Sequence, residues 1–328
     1  MLNLRALRRR ILTPSMSETR LDVRGFHVKN DAARARLERV GATFLTGYGY
    51  AAEARSIVEA EDRLELLDRE VRGFGYEGAA MGFAIRDGLP IGGSRHVERF
   101  LAGRGGQHAY MAYIGVGWAM ARLPRFRWSR VTVADPLLRW LVLDGYGFHQ
   151  AYFSTQRYVT EHYREPNMPW PAEGPRWYAQ HAIDQGIGRA LWFIGGTEVE
   201  RVTDLIDGFP ADRQPDLYSG AGLAATYAGG ASPAELSLLA ERAGDHLPQL
   251  RQGVVFAATA RVETDLVVPH TEAATELLCG ITPAEAAQLS LDCRPRPGDE
   301  TAGGEDDLPA YEVWRRSLAA ALTGADRR

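Results

Sequence analysis

Three ionisable side chains, Glu77, His149 and Arg189, occupy positions at which the chain otherwise repeats small or apolar residues. Burying a charge among apolar helices is costly unless the charge is paired or binds a ligand. We therefore predict that these three residues are catalytic and do acid–base or polar work. The alternative is a satisfied core network, in which Glu77 pairs with Arg189 and His149 forms a hydrogen bond nearby.

The repeat that defines these positions is Gly-x-Gly followed by a large apolar residue and then a small one. It occurs six times, with first glycines at Gly47, Gly73, Gly115, Gly145, Gly186 and Gly220. The residue directly after the second glycine is aromatic or leucine except at Arg189. The next position is alanine except at Glu77 and His149. The copies that contain these exceptions are therefore where we look for a site.

Further polar and aromatic residues lie close to the exceptions in the sequence. Most of the aromatic residues belong to a core, but a subset could form the wall of an elongated apolar pocket. We predict that the substrate-binding residues are Tyr76, His108, Tyr110, Asp144, Tyr146 and Trp192. We assign no metal ligands and no cofactor. A helical-bundle metal site made from Glu77, His108, Asp144 and His149 stays open as an alternative, although the chain lacks a Glu-x-x-His pair.

The elements that must position these residues are helices, because strand signals are weak throughout. Apolar periodicity predicts helices over residues 32–46, 50–72 and 108–122, with another starting at residue 136. We predict an all-α fold of stacked helix pairs, with one Gly-x-Gly per repeat, around one continuous core. The predicted parts are a basic helix and loop (1–31), the helical-repeat domain (32–293) and an acidic linker with a last helix (294–328).

The glycines of the repeat need a structural reason, because a glycine inside a helix costs about 1 kcal/mol relative to alanine. Either they start each buried helix with an unusual φ, or they allow two helix backbones to approach closely. Residues 73–78 match the dinucleotide-binding pattern literally, but that motif requires a preceding strand. Residues 60–72 are strongly helical in pattern, so we reject a phosphate-binding role.

Composition narrows the function classes. The net charge of −4 gives no general attraction for nucleic acid. Cys279 and Cys293 match no metal spacing, and a reducing cytoplasm is the simpler interpretation. No apolar run is long enough for a membrane-spanning helix. The basic first 12 residues form a short amphipathic helix that docks on the body or, as the alternative, contacts a membrane surface.

Several stretches of the sequence resemble a bacterial family. They are Tyr76–Met81, His108–Tyr110, Asp135–Trp140, Asp144–His149, Gly186–Phe193 and Ser219–Leu223. Over roughly residues 10–290 the chain looks like domain-of-unknown-function family 1702, in the UnbL-like form found beside enediyne polyketide synthase genes. The resemblance implies a role in enediyne (antibiotic-type secondary metabolite) biosynthesis, in a step that acts on the linear polyene released by the synthase. It carries no catalytic residues over.

Two hypotheses follow for the function. In the first, the protein is an accessory biosynthetic protein that binds the hydrophobic polyene in its helical core and helps to modify it. In the second, it is a non-catalytic helical scaffold that assembles the companion proteins of the enediyne cassette. The first requires an internal cavity of several hundred Å³ reached by Glu77, His149 or Arg189, whereas the second requires a filled core.

Overall fold

The protein is all-α, as predicted. A computed structural model describes residues 5, 9–10, 12–90, 95–131, 133–171, 174–296 and 308–325, and this part of the chain contains no β-strand. The helices in chain order are α1 (Leu21–Arg24), α2 (Asp31–Glu53), α3 (Ile57–Leu64), α4 (Arg72–Gly88), α5 (His96–Leu101), α6 (Ala109–Arg122), α7 (Trp140–Phe153), α8 (Ala179–Ile194), α9 (Val199–Asp207), α10 (Gln214–Ala228), α11 (Pro233–Ala243), α12 (Leu247–Glu263), α13 (Pro269–Cys279), α14 (Pro283–Cys293) and α15 (Ala310–Ala325).

Seven long helices pack one against the next in the order α2, α4, α6, α7, α8, α10, α12, and the first six of them carry the glycine repeats. The helices α2 and α4 run in the same direction. Near their starts Arg39 of α2 pairs with Glu70, just before α4, and near their ends Arg86 of α4 donates to the Ala51 carbonyl oxygen. A short helix follows α8, α10 and α12, which gives pairs of one long and one short helix.

Each seam between long helices is built on glycine. A methyl group on Gly145 of α7 would lie 2.8 Å from the carbonyl carbon of Ile114 in α6 and closer still to its oxygen. A methyl group on Gly186 of α8 would lie 2.7 Å from the carbonyl carbon of Asp144 in α7. No side chain fits at these positions, so the glycines permit close backbone approach. The alternative interpretation, that they start each helix with an unusual φ, is wrong.

The row of long helices curves until its two ends meet. The rings of Phe74 (α4) and Tyr227 (α10) contact each other with centroids 5.1 Å apart. Tyr110 at the start of α6 donates to Glu263 at the end of α12 over 3.3 Å. The helices therefore surround a common interior.

Two predicted helix boundaries are wrong. Residues 50–72 are not one helix, because α2 continues through Gly47 and Gly49 to Glu53 and a new helix begins after Ser56, whose hydroxyl caps it. The helix predicted to start at residue 136 begins at Trp140. Asp135 does accept backbone hydrogen bonds from residues 137 and 138, but they close a turn.

The predicted terminal segments are described only in part. Most of residues 1–12 and of the linker 294–307 lie outside the described residues. Arg5 and Arg9 bind the body of the protein through Glu59 and Glu53. The last helix, α15, packs against α12 and α14, and Trp314 donates its indole N–H to the Ser290 carbonyl oxygen over 2.8 Å. The boundaries 1–31, 32–293 and 294–328 stay a prediction.

Candidate functional site

The three residues that break the repeat line one cleft inside the ring of helices. Glu77 reaches it from α4, His149 from α7 and Arg189 from α8. The space between atoms is about 690 Å³, counted out to the mouth, and the centre of a water molecule can reach about 60 Å³ of it. The cleft is therefore narrow. Its remaining wall is mostly apolar and includes Leu37, Val40, Phe44, Leu45, Phe74, Met81, Trp118, Phe148, Tyr152, Phe153 and Phe193.

Arg189 is bound more closely to Asp144 than to Glu77. Its Nη1 forms a short ion pair with Asp144 Oδ1, and its Nη2 lies 3.9 Å from Glu77 Oε1. The other oxygen of Asp144 accepts a 2.8 Å hydrogen bond from Gln185 Nε2. Asp144 therefore lies behind the cleft wall and holds Arg189, whereas Glu77 faces the cleft with its counter-ion at a distance.

The environment of Glu77 favours its neutral form. Burial raises the pKa of the Glu77 carboxyl to about 7, while Arg189 lowers this pKa and Asp144 raises it. The Trp118 indole lies close enough to help lower the pKa, yet its buried N–H has no hydrogen-bond partner of normal geometry among the described residues. A carboxyl that changes protonation near pH 7 is suited to act as a general acid or base.

His149 is a neutral imidazole in this cleft. Burial lowers the pKa of His149 to about 3. Gln150 donates through Nε2 to the hydroxyls of Tyr146 and Tyr158, so its Oε1 faces His149 Nδ1 at 3.4 Å. This contact puts the imidazole proton on Nδ1 and leaves Nε2 as an acceptor. The ring stands edge-on to Trp118, with centroids 5.5 Å apart.

Tyr76 and His108 are predicted binding residues that the structure places away from the cleft. Their rings stack with centroids 3.7 Å apart, and the Tyr76 hydroxyl donates to Glu65 over 2.5 Å. Burial lowers the pKa of His108 to about 3, and its Nδ1 is buried without a hydrogen-bond partner among the described residues. They form a buried stack on the opposite side of α4 from the cleft-lining Phe74 and Met81.

Tyr110, Tyr146 and Trp192 also lie outside the cleft lining. The Tyr146 hydroxyl donates to Glu165 over 2.8 Å, and the Trp192 indole donates to the Gly229 carbonyl oxygen over 2.9 Å. For Tyr146 the reason is helix geometry: a residue two positions from a cleft-lining one points to nearly the opposite face of the helix. Tyr146 is related in this way to Phe148, which does line the cleft.

Several cleft residues escaped the sequence reasoning. Val40 and Phe44 lie on α2, and Glu18 precedes it, but nothing in their local pattern connects them with Glu77. Arg122, at the end of α6, also lines the cleft. The position after each glycine pair was only a partial signal, because Trp118, Phe148 and Arg189 hold it and line the cleft, whereas the other three copies place Tyr50, Tyr76 and Leu223 there, outside the lining.

The metal alternative finds no support in the part of the chain that the structure describes, which holds no group of three or more His, Cys, Asp or Glu side chains able to bind a metal ion. His108 stacks on Tyr76, and the Asp144 carboxylate already binds Arg189 and Gln185. Across the same described ranges, none of the helices has both the length and the apolar content needed to cross a bilayer.

Comparison with known families gives a match over nearly the whole chain. The family model described as "Protein of unknown function (DUF1702)" matches residues 3–322. The chain belongs to this family. Searches among curated proteins and among solved structures found no match. The match confirms the resemblance to family 1702 but carries no link to its UnbL-like form or to enediyne genes, and the chemistry of the DUF1702 cleft has to be argued from its own residues.

Proposed function

We propose that this protein binds a linear polyene intermediate of enediyne biosynthesis in the cleft and helps to modify it by proton transfer. Membership of the DUF1702 family and the resemblance to its UnbL-like form support the pathway. The observation that carries the chemistry is Glu77, a carboxyl whose pKa lies near 7 in a mostly apolar cleft. We expect the protein to work in the cytoplasm beside companion proteins of the cassette.

The shape of the cleft supports an elongated apolar ligand. Its walls are built from aromatic and aliphatic side chains of α2, α4, α6, α7 and α8. Flat aromatic walls such as Trp118 and Phe148 also match the flat faces of a conjugated chain.

The polar side chains of the cleft have different roles in this proposal. Protonated Glu77 can give its proton to a carbon of the chain, and ionised Glu77 can take one back, so a shift of double bonds needs no further reagent. Arg189 stabilises the ionised form from 3.9 Å. His149 is neutral and offers an acceptor at Nε2, and Trp118 offers an N–H donor beside Glu77.

The scaffold hypothesis remains the second candidate, and it does not require these features. A scaffold is stable with a filled interior, whereas a cleft next to Glu77 leaves a buried ionisable carboxyl without a close partner, which destabilises the fold. A binding and proton-transfer role gives that arrangement a use. We therefore place the ligand inside the ring of helices and not on its outer face.

Deletion of the gene in its producing host tests the proposal directly. We expect the linear polyene to accumulate and the enediyne product to disappear. Wild-type protein should restore the product. With the Glu77→Gln variant the polyene should still accumulate, although glutamine is nearly the same size as glutamate. Glu200→Gln, on the exposed surface of α9, is the matched control and should restore the product. If the Glu77→Gln variant also restores the product, the proposed proton transfer at Glu77 is wrong and the result favours the scaffold hypothesis.

A further inference from the structure

A second cavity adjoins the cleft. Val40 and Phe74 line both cavities, so these two side chains form the partition between them. The second cavity holds about 670 Å³ of space between atoms, of which a water molecule's centre reaches about 290 Å³. It lies where the row of helices closes, between the starts of α2 and α4 and the ends of α10 and α12. Its lining is more polar than that of the cleft.

The second cavity is lined by positive charge. Arg36, Arg39 and Arg261 face it together with one carboxylate, Glu70. Glu70 is already paired with Arg36 over 2.9 Å and with Arg39 over 2.8 Å. Arg39 is also paired with Asp68 over 2.9 Å, so three guanidinium groups are set against two carboxylates and one positive charge remains, with His270 neutral because burial lowers its pKa to about 4.

Arg261 is the unusual member of this group. Its side chain is 0% exposed, and no carboxylate of the described residues forms an ion pair with it. Its Nη atoms donate to the carbonyl oxygens of Glu70 and Tyr227 over 2.9 and 2.6 Å. Its Nε has no hydrogen-bond partner in the same part of the chain. A fully buried cation without a counter-ion is costly, which an anion bound in the cavity would relieve.

Tyr227 supplies a second unused donor at the partition. Its hydroxyl is buried and has no hydrogen-bond partner within the described ranges, while its ring packs against Phe74 and under the Arg261 guanidinium. Buried polar groups are nearly always satisfied in folded proteins. Two unused donors, on Tyr227 and Arg261, therefore mark this cavity as a place where an acceptor is missing.

We propose that the second cavity binds the carboxylate end of the elongated ligand whose apolar part lies in the cleft. Arg36, Arg261 and Tyr227 supply the donors, and Phe74 lies against the chain as it passes from one cavity to the other. The guanidinium group suits a planar carboxylate because both groups present two parallel hydrogen-bonding positions. This inference rests on the proposed function and narrows the substrate class to linear unsaturated carboxylic acids.

Binding of a polyene probe tests this assignment. Parinaric acid, a linear conjugated tetraene carboxylic acid, and its methyl ester are titrated into the purified full chain and followed by probe fluorescence. We expect the acid to bind at least tenfold more tightly than the ester. Arg36→Met and Tyr227→Phe should each reduce that preference several-fold while leaving the affinity for the ester unchanged. Arg34→Met is the matched control. Arg34 is an exposed arginine that lies on the same helix and pairs with Asp31, so this variant should keep the preference for the acid.

The outcomes separate the two proposals. Equal binding of acid and ester, or an acid preference that survives both variants, overturns the carboxylate site and leaves the apolar cleft intact. No binding of either probe overturns the polyene-binding function as well. Inorganic phosphate is added as a competitor in the same assay. If millimolar phosphate displaces the acid, the site takes phosphate in place of a carboxylate and the assignment is wrong. Circular dichroism of each variant confirms that it is folded.

Discussion

Replacing Glu77 with glutamine should change how the stability of the protein depends on pH. In the folded protein burial raises the pKa of Glu77 from an ordinary 4.5 to about 7. Between those two pH values the folded state holds the proton and the unfolded state releases it. The stability contributed by this group is therefore complete below pH 4.5 and is lost as the pH rises through 7.

The size of the loss follows from the pKa difference. One pH unit corresponds to about 1.4 kcal/mol, so ionising Glu77 inside the fold costs about 3 kcal/mol more than in the unfolded chain. Glutamine has nearly the shape of the neutral carboxyl and cannot ionise. Glu77→Gln should therefore be close to wild type in stability at pH 4.5 and more stable than wild type by about 3 kcal/mol at pH 8.

Urea unfolding at pH 4.5, 6, 7 and 8 measures this difference. Other buried groups also change with pH, and burial raises the pKa of Asp184 to about 6, but these contributions cancel when the two proteins are compared at each pH. Glu200→Gln makes the same chemical change on the surface and should show no pH-dependent difference from wild type. A free-energy difference between Glu77→Gln and wild type that stays constant from pH 4.5 to 8 would refute the reasoning.

Four further substitutions test the seams and the charge pattern. Gly145→Ala should destabilise the protein by roughly 2–4 kcal/mol in urea unfolding, because overpacking against the Ile114 carbonyl outweighs the gain in helix propensity. In Gly208→Ala the new methyl group would be 3.5 Å from its nearest neighbour, so this substitution should be neutral or stabilise by up to about 1 kcal/mol. If Gly145→Ala and Gly208→Ala change the free energy of unfolding equally, the close packing at the Gly145 seam is contradicted. Asp144→Asn should lower the pKa of Glu77, because it removes the repulsion between the two carboxylates and frees Arg189. Carboxyl NMR measures this pKa. The same substitution should cost about 3–5 kcal/mol of stability, because it breaks a buried ion pair. Trp118→Phe should raise the pKa of Glu77. If Asp144→Asn and Trp118→Phe shift this pKa in the same direction, the contacts assigned to Asp144 and Trp118 are contradicted.

The sequence predicted the helical class and the unusual copies of the repeat, because both are local. Glycine spacing reports where helix backbones touch, and Glu77, His149 and Arg189 stand out at equivalent positions. Helix faces were harder to assign. Tyr146 and Trp192 lie on the correct helices, but their side chains donate to Glu165 and to the Gly229 carbonyl oxygen, outside the cleft.

Contacts that depend on the closing of the ring could not be predicted. Val40 and Phe74 lie on helices that meet α8 and α10 only after the row has curved. Arg261 is far away in sequence from Glu70, and its unsatisfied charge is visible only when both helix ends come together. A local pattern shows that a residue is buried, but the partner of a buried charge is decided by tertiary packing.

The glycine seams and the chemistry of the cleft have one origin. At the seam between α7 and α8, Gly186 lets the backbone at Asp144 come into contact with α8. The same approach brings the Asp144 carboxylate to Arg189, one turn further along α8. Asp144 thereby takes up most of the charge of Arg189, which is the nearest counter-ion of Glu77. If α7 and α8 were further apart, Arg189 would pair with Glu77 and hold its carboxyl ionised. The close seam instead leaves Glu77 at 3.9 Å, able to gain and lose a proton near pH 7.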